Sequence, residues 1–286
     1  MKKVRLGFKA YDLHELTCHF AARHAGIYDE LGLEVELEDT RSVPDAQLAD
    51  CRFSVACGSA AIRSLRGEKL KILAVATARP MFWLYAGGDI NSLESLQGRR
   101  IATYPSAAPP SHFLRIVLED AGLDPDGAVC LEAAPDDATR LQRMLAGDAA
   151  AALISSATPP RLMSDSGFHS LLCVGDRVRL PTTGLAVSLS NHDRDVDTAA
   201  AMREATCASL RLIRRDKAVL REALRELQLA DERDLDTAIE LVQGSFTFDG
   251  SIGNDDLIPG MTRLADSLGL TMPSDIEAVY EPCLRA

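Results

Sequence analysis

Apolar and polar residues alternate from Val4 to Phe8 and again from Leu33 to Leu37, a period of two that predicts strands. Between them a helical pattern opens at Asp12 or His14 and runs to about Leu31, with Gly32 placed to end it. Strand, helix and strand in that order make one βαβ unit and imply a parallel sheet. Short apolar runs at Phe53–Ala56, Lys71–Thr77 and Phe82–Ala86 predict three more strands, with a helix to about Leu65 after the first. Gly87-Gly88 then breaks the chain.

A second α/β series follows. Leu93–Leu96 predicts a short helix, Arg100–Tyr104 a strand, and Pro109–Ala121 a helix with proline suited to its first turn. Val129–Glu132, Ala151–Ser155 and Leu171–Val174 read as strands, with helices from Asp136 or Asp137 to Gly147 and from Pro159. Leu185–Leu189 is the last strand; 194–215, 217–228, 233–244, 255–268 and 274–284 have helical spacing. The layout predicts an α/β protein of two lobes with a helical C-terminal segment: residues 1–87 with 179–286 as the first lobe, and 88–178 as the second. Two crossings, near Gly87-Gly88 and Val178–Pro181, would form a hinge, and ligands favour the space between such lobes.

Composition narrows this picture. Of 286 residues, 47% are hydrophobic, enough for two packed cores. A net charge of -11 without a basic stripe argues against nucleic acid as a partner. No stretch approaches the roughly 20 apolar residues of a membrane span. The opening MKKVRLGF lacks the apolar region of an export signal, so a cytoplasmic location is expected, with a periplasmic one the alternative if a leader has been removed. The cysteines, Cys18, Cys51, Cys57, Cys130, Cys173, Cys207 and Cys283, are odd in number and include no C-x-x-C pair. Neither a disulfide framework nor a zinc ribbon is expected, and free thiols fit a reducing compartment. The sequence has no G-x-x-x-x-G-K-[ST], G-x-G-x-x-G, H-E-x-x-H or G-x-S-x-G motif. No cofactor and no metal are expected.

Four groups of residues occur in an order that carries a resemblance. They are Ala25-Gly26-Ile27-Tyr28 with Gly32-Leu33-Glu34-Val35, then Ser92 to Ala102 (SLESLQGRRIA), then Leu118 to Asp126 (LEDAGLDPD), then Ala146-Gly147-Asp148-Ala149-Ala150-Ala151. Together they resemble the solute-binding proteins for nitrate, taurine, sulfonates and thiamine-pyrimidine precursors. The resemblance implies a type II periplasmic-binding-protein-like fold closing on a small anionic or heterocyclic ligand, for transport through an ABC permease or for sensing. The related pyrimidine-precursor synthase has a cysteine-rich motif that is absent here. Signal-free relatives include dehydratases and decarboxylases of small carboxylated rings, so an enzyme on the same scaffold is the alternative.

In open α/β lobes the ligand lies beyond the carboxyl ends of the strands. That rule selects four loops: Tyr11, Asp12 and His14; Cys57, Gly58 and Ser59; Tyr104, Ser106, Ser111 and His112; Ser155, Ser156 and Thr158. Three of them run into helix N-termini, where free N–H groups and the helix dipole favour an anion, although the serines serve equally as caps. Tyr11 and Tyr104, with Phe82 and Trp83 behind them, are candidates for stacking on a flat ligand, against a plain packing role. Arg79, before Pro80, would hold a carboxylate or sulfonate or make a surface ion pair. Cys57 at a strand-to-helix turn has the position of a reactive thiol with His14 or His112, against the commoner role of a small buried apolar group. His14 and Cys18 share a helix face at metal-ligand spacing, with no third ligand evident. Asp12, His14, Tyr104 and His112 together would supply acid–base groups.

Overall fold

A computed structural model of the chain describes residues 1–43, 52–88, 90–189 and 195–281. Cys51 and Cys283 lie outside the described residues. The chain builds two five-stranded mixed sheets flanked by helices. The first contains β1 (Lys2–Phe8), β2 (Leu33–Asp39), β3 (Phe53–Ser54), β4 (Leu70–Thr77) and β10 (Thr183–Ser188), in the order β2-β1-β3-β10-β4. β1 is parallel to β2 and β3, and β10 is antiparallel to β3 and β4. The second contains β5 (Phe82–Ala86), β6 (Arg100–Thr103), β7 (Cys130–Ala133), β8 (Ala151–Ser155) and β9 (His169–Cys173), in the order β7-β6-β8-β5-β9. Here β6 is parallel to β7 and β8, while β5 runs antiparallel to β8 and β9.

The placement of Phe82–Ala86 moves the first crossing. The sequence pattern puts the crossing after this strand, near Gly87-Gly88; the structure puts it before, at residues 78–81, because β5 pairs within the second sheet. An apolar run buried on both faces carries no mark of which sheet it completes. The returning crossing lies beside the outgoing one: Leu180 N–H donates to Ala78 O at 3.1 Å and Thr182 N–H to Thr77 O at 3.0 Å.

The helices are α1 (Leu13–His24), α2 (Ile27–Glu30), α3 (Cys57–Leu65), α4 (Pro109–Asp120), α5 (Asp137–Leu145), α6 (Pro160–Asp165), α7 (Val196–Arg215), α8 (Lys217–Leu227), α9 (Leu235–Ser245) and α10 (Asn254–Ser267). The single helix expected through Leu31 is split after His24, where Gly26 takes φ +72°. One core lies outside the first sheet, against α1, α7, α8 and α9. A middle core joins α3, α4 and α10 to the facing sides of both sheets, and a small third one covers the far side of the second sheet. Period-two burial is plain in β8, where Ala151 and Leu153 enter the middle core while Ala152 and Ile154 enter the third.

The helix expected over 274–284 does not form within the described residues. One 3₁₀ turn, Ile276–Ala278, precedes an extended passage that runs along β4. Ile72 N–H donates to Val279 O at 2.8 Å and Glu281 N–H to Ile72 O at 3.0 Å. Residues 247–250 cover the next part of the same edge, Thr247 N–H donating to Ala76 O and Val75 N–H to Gly250 O, both at 2.8 Å. Sheet edges left open invite pairing with other chains, and this one is covered by its own tail.

Candidate functional site

The β1–α1 turn is held by two acids. Asp12 caps α1, its Oδ1 accepting from Glu15 N–H at 2.8 Å, and Glu15 Oε2 accepts from the N–H groups of Lys9 and Ala10, each at 2.8 Å. This reciprocal arrangement is a variant of the capping box. Burial pushes Asp12 up to about 7, and the Asp137 carboxylate of the other lobe adds to the shift. Burial, and then Asp12, push Glu15 up to about 8.

Asp137, the first residue of α5, gathers the facing wall. It accepts from Ser155 N–H at 3.1 Å, Ser155 Oγ at 2.8 Å, Thr158 Oγ1 at 3.0 Å and Arg140 Nη2 at 2.5 Å, with Tyr104 OH at 3.5 Å. Arg140 is 1% exposed; its Nη1 donates to Ala134 O at 2.8 Å and its guanidinium lies 3.7 Å from the Tyr104 ring centroid. Burial, and then Asp137, hold the Tyr104 hydroxyl well above its ordinary pKa. Tyr104 also meets Phe82 edge-on at 5.5 Å. The cleft therefore brings Asp12 of the first lobe, with Glu15 beside it in the same turn, toward Tyr104 and Asp137 of the second.

His14 is spent on the protein itself. Its Nδ1 lies 2.6 Å from Ser156 Oγ and its Nε2 2.9 Å from Ser245 Oγ, all three residues being buried. Burial, helped by the positive charge of Arg79, pushes its pKa down to about 3, so the ring is neutral. Its i+4 neighbour Cys18 is buried, and no cluster of three metal-ligating side chains occurs among the described residues.

The helix ends offer an anion less than the sequence suggests. The N-terminus of α1 is capped by a carboxylate. At α3, Gly58 N–H already donates to Thr182 O at 2.9 Å and Cys57 N–H to Val55 O at 3.1 Å. At α4, Pro109 and Pro110 open the helix, and proline has no N–H to give.

The remaining candidates disperse. Arg79 sits at the crossing, donating to Gly244 O at 3.2 Å with Asp176 at 3.5 Å, so it serves the hinge. Cys57 is fully buried, its thiol pointing to Ala74 O at 3.7 Å; burial pushes its pKa far up, which is the opposite of activation. Ser59 lines a cavity of about 250 Å³ between α3 and the first sheet. Ser106 and Ser111 line a groove of about 620 Å³ beside β7 together with Thr103 and Tyr104. His112 is half-buried on α4 with Arg115 and Arg66 nearby, so it does not join His14. Tyr11 packs edge-on against Phe8 at 5.8 Å, and Trp83 lies 6.2 Å from His14. Of the four acid–base candidates, only Asp12 and Tyr104 share the cleft cluster.

Sequence reasoning missed Glu15, Asp137 as a wall residue, Arg140 and Ser245. The Asp12-x-x-Glu15 spacing was a readable signal for the first; nothing in the pattern joins Ser245 to His14 across 231 positions.

Comparison with known proteins agrees with this architecture. A family model described as "NMT1/THI5 like" matches residues 14–214. No curated protein matches the sequence. A Candida albicans protein described as defining a family with the generic periplasmic-binding-protein fold superposes with TM-score 0.77 at 12% identity, covering 100% of this chain and 99% of that one. The zinc-bound ligand-binding component of an ABC-type import system from Staphylococcus aureus gives 0.76 at 13% identity, over 99% and 97% of the two chains. The alkanesulfonate-binding protein SsuA from Xanthomonas axonopodis pv. citri, bound to MOPS, gives 0.74 at 14% identity, over 95% of each. The fold is the type II periplasmic-binding-protein fold.

Proposed function

The chain belongs to the NMT1/THI5-like family, and from that premise we propose that it is a solute-binding protein that holds one small molecule between its lobes and delivers it to an ABC permease. The observation that carries this reading is that Asp12 of the first lobe faces Asp137 and Tyr104 of the second, with Arg140 bound to Asp137 behind them. Among the described residues Arg140 gives Nη1 to Ala134 O and Nη2 to Asp137, with Nε unpaired, and the N-termini of α1, α3 and α4 are capped, bonded or opened by proline. A simple oxyanion would meet the Asp137 carboxylate and the acid groups of Asp12 and Glu15. The cleft instead suits a small flat heterocycle that presents N–H groups to the acids and a face to Tyr104.

A thermal-shift screen at pH 7.5 tests this. Aminated heterocycles are expected to raise the midpoint, a ligand at about 100 times its Kd stabilising the fold by ~2.7 kcal/mol. Asp12→Asn and Tyr104→Ala should each remove most of that shift. A shift with sulfonates or nitrate alone would overturn the ligand class, and no shift with any small molecule would overturn the binding reading.

Location belongs to the same proposal. Cys18, Cys57 and Cys207 are buried thiols that take part in no disulfide, which supports a reducing compartment. Labelling of the exposed Cys130 by a reagent that cannot cross the inner membrane, in intact cells against lysates, tests it: a protein labelled only after lysis fits the cytoplasm.

A further inference from the structure

One helix is fastened at both ends to the opposite lobe. At its start, Asp234 accepts from Arg161 of α6 through both oxygens, Nε to Oδ1 and Nη2 to Oδ2, each at 2.8 Å. At its finish stands Ser245. The Ser245 hydroxyl donates to Leu241 O at 2.7 Å, so toward His14 its oxygen is an acceptor. That fixes the proton of His14 on Nε2 and leaves Nδ1 to accept from the Ser156 hydroxyl at the end of β8. A continuous chain, Ser156 to His14 to Ser245 to Leu241 O, thus crosses the seam, with every side chain buried. Arg161, Asp234 and Ser156 line one crevice of about 70 Å³, together with Trp83 of β5 and Leu241 of α9.

We propose that α9 and His14 form a clasp that holds the two lobes together by protein contacts alone, so that release of the Ser156–His14–Ser245 chain and of the Arg161–Asp234 pair is the step that opens the cleft. The purpose of such opening rests on the binding reading above; the clasp itself does not. His14 is a positioning residue here. Its two nitrogens are both engaged by serines, and its ring lies 6.2 Å from Trp83 and 5.7 Å from Phe246. Neutral imidazole supplies one donor and one acceptor, the pair this chain requires. A glutamine amide supplies the same pair; alanine supplies neither.

Trp83 is the only tryptophan in the sequence, so its fluorescence reads the clasp directly. The full-length protein, purified without added ligand, is expected to show blue emission weakly quenched by acrylamide. Ser156→Ala and Asp234→Ala should each red-shift the emission and raise the quenching constant severalfold while the protein still melts cooperatively by circular dichroism. His14→Gln should keep the wild-type emission, whereas His14→Ala should follow Ser156→Ala. Unchanged quenching in both Ser156→Ala and Asp234→Ala would overturn the clasp, as would a His14→Gln protein as quenchable as His14→Ala. A wild-type Trp83 that is readily quenched until a heterocycle is added would also overturn it, yet leave the binding reading standing. A protected Trp83 in a protein that binds nothing in the screen would do the reverse.

Discussion

Asp12 and Glu15 are carboxyl groups that the fold prefers protonated, at about 7 and about 8 against ordinary values near 4. Groups raised in the folded state contribute their stability fully below the unfolded pKa and lose it as pH climbs through the folded one. His14 has the opposite sign: lowered to about 3, its contribution is complete above about 6.5 and fades as pH falls. Urea denaturation from pH 6.5 to pH 8, where the buried histidines no longer contribute a slope, should therefore show a decline in stability that Asp12→Asn and Glu15→Gln each flatten. A decline of equal slope in both variants would dismiss these acids as its source. Arg140 allows a second test. Arg140→Met leaves Asp137 buried beside Asp12 without its cation, and loss of one partner from a buried pair costs about 3–5 kcal/mol. A change under about 1 kcal/mol in urea would show that Asp137 finds compensation elsewhere. Asp12 and Tyr104 were legible from loop position alone. Arg140 was not, because an arginine in a polar helix pattern reads as solvated until a neighbouring strand end is folded over it.

At the level of elements, β1 and β2 were legible by alternation, and inner strands such as β4, β5 and β8 as apolar runs, because they are covered on both faces. Helices were legible where their apolar stripe met a core. The tail was misread because Ile276, Val279 and Tyr280 have helical spacing, yet the edge of β4 offers them backbone partners that a helix would forgo. Gly260 inside α10 is the point where α10 touches the returning crossing: a Cβ there would lie 1.6 Å from Arg179 O, a backbone atom that cannot swing aside. Gly260→Ala is expected to lower stability by more than about 3 kcal/mol, or to prevent folding, a cost typical of severe overpacking. Gly253→Ala, with open space around it, is the control. Thermal melts of the two should differ by many degrees; similar midpoints would mean that α10 can shift off the crossing.

For the molecule as a whole, the order of strands and helices was enough to give two lobes and a cleft, while the chemistry of the cleft was not. The reason is distance along the chain. The acid of one wall lies at residue 12 and its opposite numbers at 104 and 137, so no local pattern joins them. The same holds for the anion preference, which depended on helix N–H groups being free; Thr182, far from α3 in sequence, is what occupies the one at Gly58.

The strand orders also set a timetable. Every strand of the second sheet lies between Phe82 and Cys173, whereas the first sheet needs β10, at Thr183–Ser188, between two strands made long before it. As the chain leaves the ribosome, the lobe whose residues begin later can finish earlier, and the N-terminal strands must wait, unpaired in the middle, for a segment more than a hundred residues downstream. A fragment of residues 79–176 is accordingly expected to melt cooperatively, and one of residues 1–77 to remain sensitive to protease. The newborn protein would then pass through a stage in which its oldest part is the part still unmade.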